Sequence, residues 1–141
     1  MSKIFLDTNV VVYASDHNSP DKQRIARDLV NTCSKMDPPC VSTQVLQEFY
    51  SVAIKKLGMD PQMAFTLVKS FRAWKIVRTD TDDVENAIAA SIRWQISIWD
   101  ALIIVAAQKA ECPVVYSEDL NDGQNYGSVK IVNPFKSNFG E

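Results

Sequence analysis

Short apolar runs alternate with longer amphipathic segments along the whole chain. Polar or turn-forming residues bound each run, a pattern that is typical of a buried strand. The five predicted strands cover residues 3–6, 40–42, 74–78, 114–117 and 129–132. The segments between them carry apolar residues three or four positions apart, which indicates helices that bury one face. The predicted helices cover residues 10–14, 21–36, 43–57, 61–71 and 81–94, and a last one contains Asp100 and ends near residue 110.

This alternation indicates a parallel sheet with helices on both faces, because parallel strands need a crossover connection. We therefore predict an α/β fold with three α/β/α layers around a central parallel sheet of about five strands. The chain has 141 residues, the length of one ordinary domain, and it shows no internal repeat or shift in composition. We interpret residues 1–141 as a single domain.

Composition excludes several classes of protein. Hydrophobic residues make up 46% of the chain, which argues against disorder. A net charge of −2 and a pI near 5.4 argue against attachment to nucleic acid by bulk charge, although a local basic patch stays open. The three cysteines, Cys33, Cys40 and Cys112, lack the spacing of a metal site and indicate reduced thiols. With no signal-peptide pattern and no run of 18 apolar residues, we expect a cytoplasmic protein that does not enter a membrane.

Four acidic residues stand out by position. Asp7 follows the first predicted strand and Asp119 lies just past the fourth, where open parallel sheets carry their sites. Asp100 shares a helix face with Ile103 and Ile104, and Glu48 lies on the apolar stripe of another helix. Unpaired carboxylates on apolar faces cost several kcal/mol, by order of magnitude. We therefore expect these acids to point towards something that stabilises them.

A divalent cation accounts for this arrangement. Four converging carboxylates would otherwise repel one another. Mg²⁺ or Mn²⁺ takes oxygen ligands and keeps bound water. Such a site suits phosphodiester hydrolysis, because the ion makes hydroxide available and neutralises charge on the phosphate.

At these residues the chain resembles the PIN-domain family, including its VapC-type toxin ribonucleases. The matching segments are "FLDTNVVVYA", "VLQEFY", "IWDALIIVAA" and "VYSEDLNDGQ". The resemblance implies a PIN-like fold and an Mg²⁺- or Mn²⁺-dependent ribonuclease, with Asp7, Glu48, Asp100 and Asp119 as metal-binding and catalytic acids. It also implies a toxin that an antitoxin protein neutralises, and a homodimer.

The identity of the fourth acid stays open at this point. Asp119 fits best, but Glu118 and Asp122 are alternatives. Asn121-Asp122-Gly123 is a turn signal, in which Asp122 would point to solvent and cap backbone amides. Three neighbouring polar residues are interpreted as supporting the site, namely Thr8, Asn9 and Ser117.

Other functions are less compatible with the sequence. A dehalogenase-like phosphatase needs a second Asp where Asn9 stands, and a phosphoacceptor receiver domain needs a lysine near the strand at 114–117. A PIN nuclease of RNA processing and an inert PIN-like binding scaffold remain alternatives to the toxin.

Substrate contacts are not identifiable from the sequence. Basic residues recur every third position at Lys69, Arg72, Lys75 and Arg78. They are candidates for RNA phosphate contacts, but a solvated face is the more typical explanation. For the expected homodimer we predict that the surface comes from the helix at 63–71 with Phe65, and from Trp74 and Trp94.

Overall fold

The computed structural model describes residues 3–33 and 37–136. Within them, six strands form one sheet in the order β3-β2-β1-β4-β6-β5. The strands are β1 (Ile4–Leu6), β2 (Cys40–Ser42), β3 (Lys75–Val77), β4 (Val114–Tyr116), β5 (Asn125–Tyr126) and β6 (Val129–Val132). Every neighbouring pair is parallel except β5 and β6. The predicted α/β fold with a central parallel sheet is therefore confirmed, with six strands where about five were predicted and with β5 antiparallel to its neighbour.

Six α-helices connect and cover the strands in the described ranges. They are α1 (Thr8–Tyr13), α2 (Pro20–Thr32), α3 (Thr43–Lys55), α4 (Pro61–Ser70), α5 (Thr81–Trp94) and α6 (Ile98–Lys109), and a 3₁₀ turn (Phe71–Ala73) follows α4. Side-chain caps explain where several of them begin. Asp60 accepts hydrogen bonds from the first backbone amides of α4, and Asp80 forms a reciprocal capping box with Asp83 on α5.

Some predicted boundaries need correction. The predicted helix at 21–36 ends at Thr32, because Cys33 has extended backbone angles; residues 34–36 lie outside the described residues. The helix predicted to residue 57 ends at Lys55. The strands predicted at 74–78 and 114–117 are shorter, at Lys75–Val77 and Val114–Tyr116. The fifth and shortest strand, β5, was not predicted, because two residues between turn signals show no alternation of apolar and polar positions.

Helix α6 is the most deeply buried helix of the fold. Every residue from Ala101 to Ala107 is buried, so its central turns lack a polar face. Among the described residues, no single helix is long and apolar enough to cross a membrane, and α5 with α6 passes that test only as a pair bent by 117°. The continuous apolar run of α6 is therefore explained by its central position, with Asp100 half-buried in its first turn.

The parallel strands bring two predicted site segments together. Leu6 of β1 pairs with Tyr116 of β4, and the amide of Asp7 donates to the Tyr116 carbonyl at 3.0 Å. Both strands therefore end at the same edge of the sheet, so the residues that follow them, Asp7 and Ser117, lie next to each other.

Candidate active site

Asp7 is the most enclosed of the four acids. It is only 6% exposed and caps the N-terminus of α1, where its Oδ1 accepts from the Thr8 amide at 2.7 Å. Ser117 donates its hydroxyl to Asp7 Oδ2 at 2.8 Å. The Thr8 contact is local to the start of α1, and the Ser117 contact exists because the ends of β1 and β4 are adjacent, so both carboxylate oxygens are held.

Glu48 approaches this edge from α3. The Thr8 hydroxyl donates to Glu48 Oε1 at 2.6 Å, and Gln44, one helical turn earlier, donates to Glu48 Oε2 at 3.3 Å. Gln44 also donates to the Trp99 carbonyl at 3.2 Å, which connects α3 with the start of α6. Thr8 therefore joins Asp7 to Glu48, one through its backbone and the other through its hydroxyl.

Asn9 holds the segment after β4 against α1. Its Nδ2 donates to Asp119 Oδ2 at 3.1 Å, and its Oδ1 accepts from the Glu118 amide at 3.0 Å. The Ser117 hydroxyl also accepts from the Asp119 amide at 3.1 Å. The exposed carboxylate of Asp119 is thereby directed towards the edge that carries Asp7.

Asp100 lies in the first turn of α6. Ser97 is the N-cap of this helix and accepts from the Asp100 amide at 3.0 Å. The Asp100 side chain is half-buried, not fully enclosed. Its carboxylate lies at the positive end of the helix dipole, which favours a negative charge there.

The pKa values show that the four acids share one electrostatic region. Burial is the largest cause that raises the pKa of Asp7 from 3.8 to about 6, against hydrogen bonds from Ser117 and Thr8, and the charges of Asp119 and Glu48 raise it further. Burial also raises the pKa of Asp100, and the same two acids add to that rise. None of the four forms an ion pair with a lysine or arginine among the described residues. The edge is therefore a concentration of negative charge that no ion pair among the described residues neutralises.

The chemistry of these donors fits Mg²⁺ or Mn²⁺, although they do not form a closed cage. In the described parts of the chain, no three His, Cys, Asp or Glu side chains lie close enough together to hold a metal ion. The donors are all oxygens, and Mg²⁺ usually keeps several waters and needs only one or two protein carboxylates. Another oxygen beside them, Gln44 Oε1, is buried without a hydrogen-bond partner among the described residues. A hydrated divalent ion therefore suits this set better than a fully protein-bound one.

The alternatives for the fourth acid have other partners. Glu118 forms an ion pair with Lys22 and accepts from the Tyr13 hydroxyl at 2.8 Å. Burial alone would raise the pKa of Glu118, but these two hydrogen bonds and the charge of Lys22 hold it below its ordinary value. Asp122 is exposed, and its Oδ1 accepts from the Asn133 amide at 2.7 Å. The geometry thus favours Asp119 as the acid directed at the site.

Sequence reasoning missed several contributors to this site. Gln44 was a detectable candidate because it lies four residues before Glu48 on the same helix face. The pairing of Lys22 with Glu118 joins residues 96 positions apart, and no local pattern shows it. The predicted basic candidates at 69, 72, 75 and 78 are exposed, as a solvated face would be, and do not line the cavity beside the acids.

The fold and the acidic edge define an α/β protein with a carboxylate site at the carboxyl ends of its strands. A family model for the PIN domain matches residues 4–121, so the chain belongs to the PIN domain family. Comparison with curated proteins gives no match.

Solved structures with the same fold include toxins and their complexes. VapC20 from Mycobacterium tuberculosis, described as a toxin that cleaves the sarcin–ricin loop, is similar with a TM-score of 0.70 and 18% identity, covering 83% of this chain and 90% of its own. A toxin–antitoxin complex from Klebsiella pneumoniae is similar with a TM-score of 0.69 and 16% identity, and the match covers 95% of this chain and 98% of the other. DNA-bound VapBC from Salmonella typhimurium is similar with a TM-score of 0.66 and 21% identity, and the match covers 93% of this chain and 97% of the other. At these identities the similarity shows the fold alone.

Proposed function

We propose that the protein is a metal-dependent endoribonuclease that hydrolyses RNA phosphodiester bonds. The observation that carries the proposal is the acidic edge of a PIN domain, where Asp7, Glu48, Asp100 and Asp119 share one electrostatic region and form no ion pair among the described residues. A divalent ion relieves the mutual repulsion of these four carboxylates. An all-oxygen metal site with bound water suits phosphodiester hydrolysis.

Each acid has a distinct position in the proposed reaction. Asp7, Glu48, Asp100 and Asp119 would together hold a hydrated Mg²⁺ or Mn²⁺, one or two of them directly and the others through its waters. The bound ion would supply a water of lowered pKa and neutralise charge on the phosphate oxygens. Thr8 keeps Glu48 in place through its hydroxyl.

Ser117 and Asn9 position two of the proposed metal-binding acids through hydrogen bonds. Ser117 donates to Asp7, and Asn9 donates to Asp119. Both therefore restrain the side-chain orientations of acids that lie on different elements of the fold. This restraint lowers the conformational entropy that metal and substrate binding must remove.

The experiment that tests the proposal is RNA cleavage by the purified full-length chain. Cleavage is expected to occur with Mg²⁺ or Mn²⁺. It is expected to stop in excess chelator and to return when Mn²⁺ is restored. Asp7→Asn is expected to abolish it, whereas the exposed Asp28→Asn on α2 retains it. Undiminished cleavage in chelator, or in the Asp7 variant, would contradict the proposal.

We also propose that this activity is that of a toxin in a toxin–antitoxin pair. The support is the similarity of the fold to VapC20, which is described as a toxin, to a complex described as toxin–antitoxin, and to DNA-bound VapBC. Induced expression is expected to arrest growth, and co-expression of the protein encoded next to it is expected to relieve the arrest. Growth without arrest would favour a PIN nuclease of RNA processing, and an RNA-binding chain without cleavage would favour an inert scaffold. Action in the cytoplasm stays a prediction of this proposal.

A homodimer is the proposed assembly. Met63 and Phe65 on α4 are 59% and 50% exposed, as the predicted surface requires, whereas Trp74 and Trp94 are half-buried and pack against the core. Further large apolar side chains are exposed on α5 and at the start of α6, namely Val84, Ile88, Ile92 and Trp99. Exposed apolar area of this kind is typical of an interface. Light scattering that reports a monomer at micromolar concentration would contradict the dimer.

A further inference from the structure

A cavity of about 400 Å³ opens directly beside the acidic edge. Glu48 and Asp119 line it at the acidic edge, Lys56 lines it further along α3, and Glu118 is a third acid in its lining. Val12 and Val52 supply an apolar wall between these two ends. The cavity therefore combines a negative end, an apolar middle and a positive end within the volume of a small ligand site.

Helix α3 produces this gradient by its spacing. Glu48 and Val52 are four residues apart, and Lys56, the C-cap of the helix, follows after four more. Residues at this spacing lie on one helix face, and eight residues extend over about 12 Å. The acid and the lysine therefore face the same cavity from opposite ends.

Lys56 is the cation of this cavity that is available to a ligand. It makes no ion pair among the described residues, and its Nζ lies 5.4 Å from the centre of the Tyr13 ring. The other nearby lysine, Lys22, is already held by Glu118 and by the Tyr13 hydroxyl. Glu118 also lines the cavity, and the charge of Lys56 helps to lower its pKa, but Glu118 is already ion-paired with Lys22. A ligand phosphate that approaches the cavity would thus find in Lys56 a lysine without an ion-pair partner among the described residues.

We propose that this cavity is the subsite for the nucleotide next to the scissile phosphate of a single-stranded RNA, with Lys56 contacting that nucleotide's phosphate. The inference rests on the proposed ribonuclease function and deepens it by naming a substrate contact. The scissile phosphate lies at the acids, and the neighbouring base lies against Val12 and Val52. A concave site of this volume suits one unstacked nucleotide and not a duplex, because a base that is splayed out of a single strand can enter it.

The test measures RNA affinity against salt concentration. A fluorescent single-stranded RNA is titrated with the full chain carrying Asp100→Asn, so that the proposed cleavage does not consume the probe. Lys56→Gln is compared with Lys55→Gln, which removes the same charge from the adjacent exposed residue outside the cavity. Lys56→Arg keeps the charge. Thermal melting of each variant verifies that the fold is intact.

Loss of one phosphate contact has a defined signature. The slope of log affinity against log salt is expected to become shallower by about 0.7 in Lys56→Gln, the value for one phosphate on a single strand. Affinity should fall roughly two- to fivefold, as for an exposed ion pair. Lys55→Gln and Lys56→Arg should keep the parental slope. In the active chain, Lys56→Gln should raise KM and leave kcat unchanged.

The outcomes separate this inference from the proposed function. Equal slopes for the Lys55 and Lys56 variants would overturn the subsite, even if the parent chain cleaves RNA. A drop in kcat without a change in KM would also overturn it, since Lys56 would then act on the reaction and not on binding. If the chain binds RNA with the Lys56-dependent slope but cleaves none, the subsite stands and the proposed nuclease fails.

Discussion

Asp7→Asn is predicted to stabilise the fold in the absence of divalent metal, and only above a defined pH. Asp7 is buried, and its pKa in the folded protein is about 6 against an ordinary value of 3.8. Between these values the folded chain keeps a proton that the unfolded chain has released. The free energy of unfolding therefore falls as the pH rises from about 4 to about 6, and the penalty is complete at higher pH.

The size of the effect follows from the pKa. One pH unit corresponds to about 1.4 kcal/mol, so ionised Asp7 costs the fold on the order of 3 kcal/mol at pH 7.5. An asparagine cannot ionise, and its Oδ1 can still accept from the Thr8 amide. The Ser117 hydroxyl can turn to accept from the new amide, but the 3.4 Å contact with Asn9 Nδ2 is lost. After an offset of about 1 kcal/mol for that contact, a net gain of about 2 kcal/mol remains.

The assay is urea unfolding in chelator at pH 4 and pH 7.5. At pH 4, where Asp7 is mostly protonated in the folded state, the variant is expected to be less stable than the parent by up to about 1 kcal/mol, because the Asn9 contact is lost. At pH 7.5 it is expected to be more stable by about 2 kcal/mol. Asp28→Asn, an exposed acid on α2, serves as the control and should change stability by less than about 0.5 kcal/mol at either pH. An Asp7 variant that is less stable than the parent at pH 7.5 would refute the reasoning, because it would mean that ionised Asp7 supports the fold.

Three further predictions concern the neighbours of Asp7. Asp100→Asn should abolish RNA cleavage yet unfold at no lower urea concentration in chelator, because burial and the charges of Asp119 and Glu48 raise the pKa of Asp100; lower stability would indicate a structural hydrogen-bond role. Thr8→Val should reduce the kcat of RNA cleavage at least tenfold and leave the fold intact, since Glu48 loses the 2.6 Å hydrogen bond that positions it. An unchanged kcat would exclude a positioning role for Thr8. Asn9→Ala should cost about 1–2 kcal/mol of unfolding free energy and weaken Mn²⁺ binding, since two hydrogen bonds to residues 118 and 119 are lost; calorimetry showing parental Mn²⁺ affinity would contradict it.

The parts of the site that the sequence predicts are those that a regular element positions. Asp7 follows a buried strand, and parallel strands end at the same edge of a sheet, so its position at the edge that also carries Asp119 was accessible from pattern alone. That β1 and β4 are neighbours, which brings Asp7 beside Ser117, was not. Glu48 was accessible in the same way, because helical spacing fixes which face of α3 it occupies. For both residues, the regular spacing of the strand or helix determines where the side chain lies in the fold.

The parts that could not be predicted depend on side-chain partners that are distant in the chain. Asn9 bonds Asp119 across 110 positions, and Lys22 pairs with Glu118 across 96. These contacts exist because α1 and α2 pack beside the segment after β4, and no periodicity encodes which polar group meets which. The pairing of Glu118 with Lys22 is also what separates it from Asp119, a choice that the sequence left open.

The central claim is that Asp7, Glu48, Asp100 and Asp119 form one metal-binding catalytic site. Isothermal titration of Mn²⁺ into the chain and into Asp119→Asn and Asp122→Asn tests it most directly, because the two variants remove one carboxylate charge each from the same short segment. We predict that Asp122→Asn keeps the parental affinity, since its side chain only caps the Asn133 amide, and that Asp119→Asn loses at least tenfold. Equal affinity in all three proteins, or a loss confined to the Asp122 variant, would contradict the assignment.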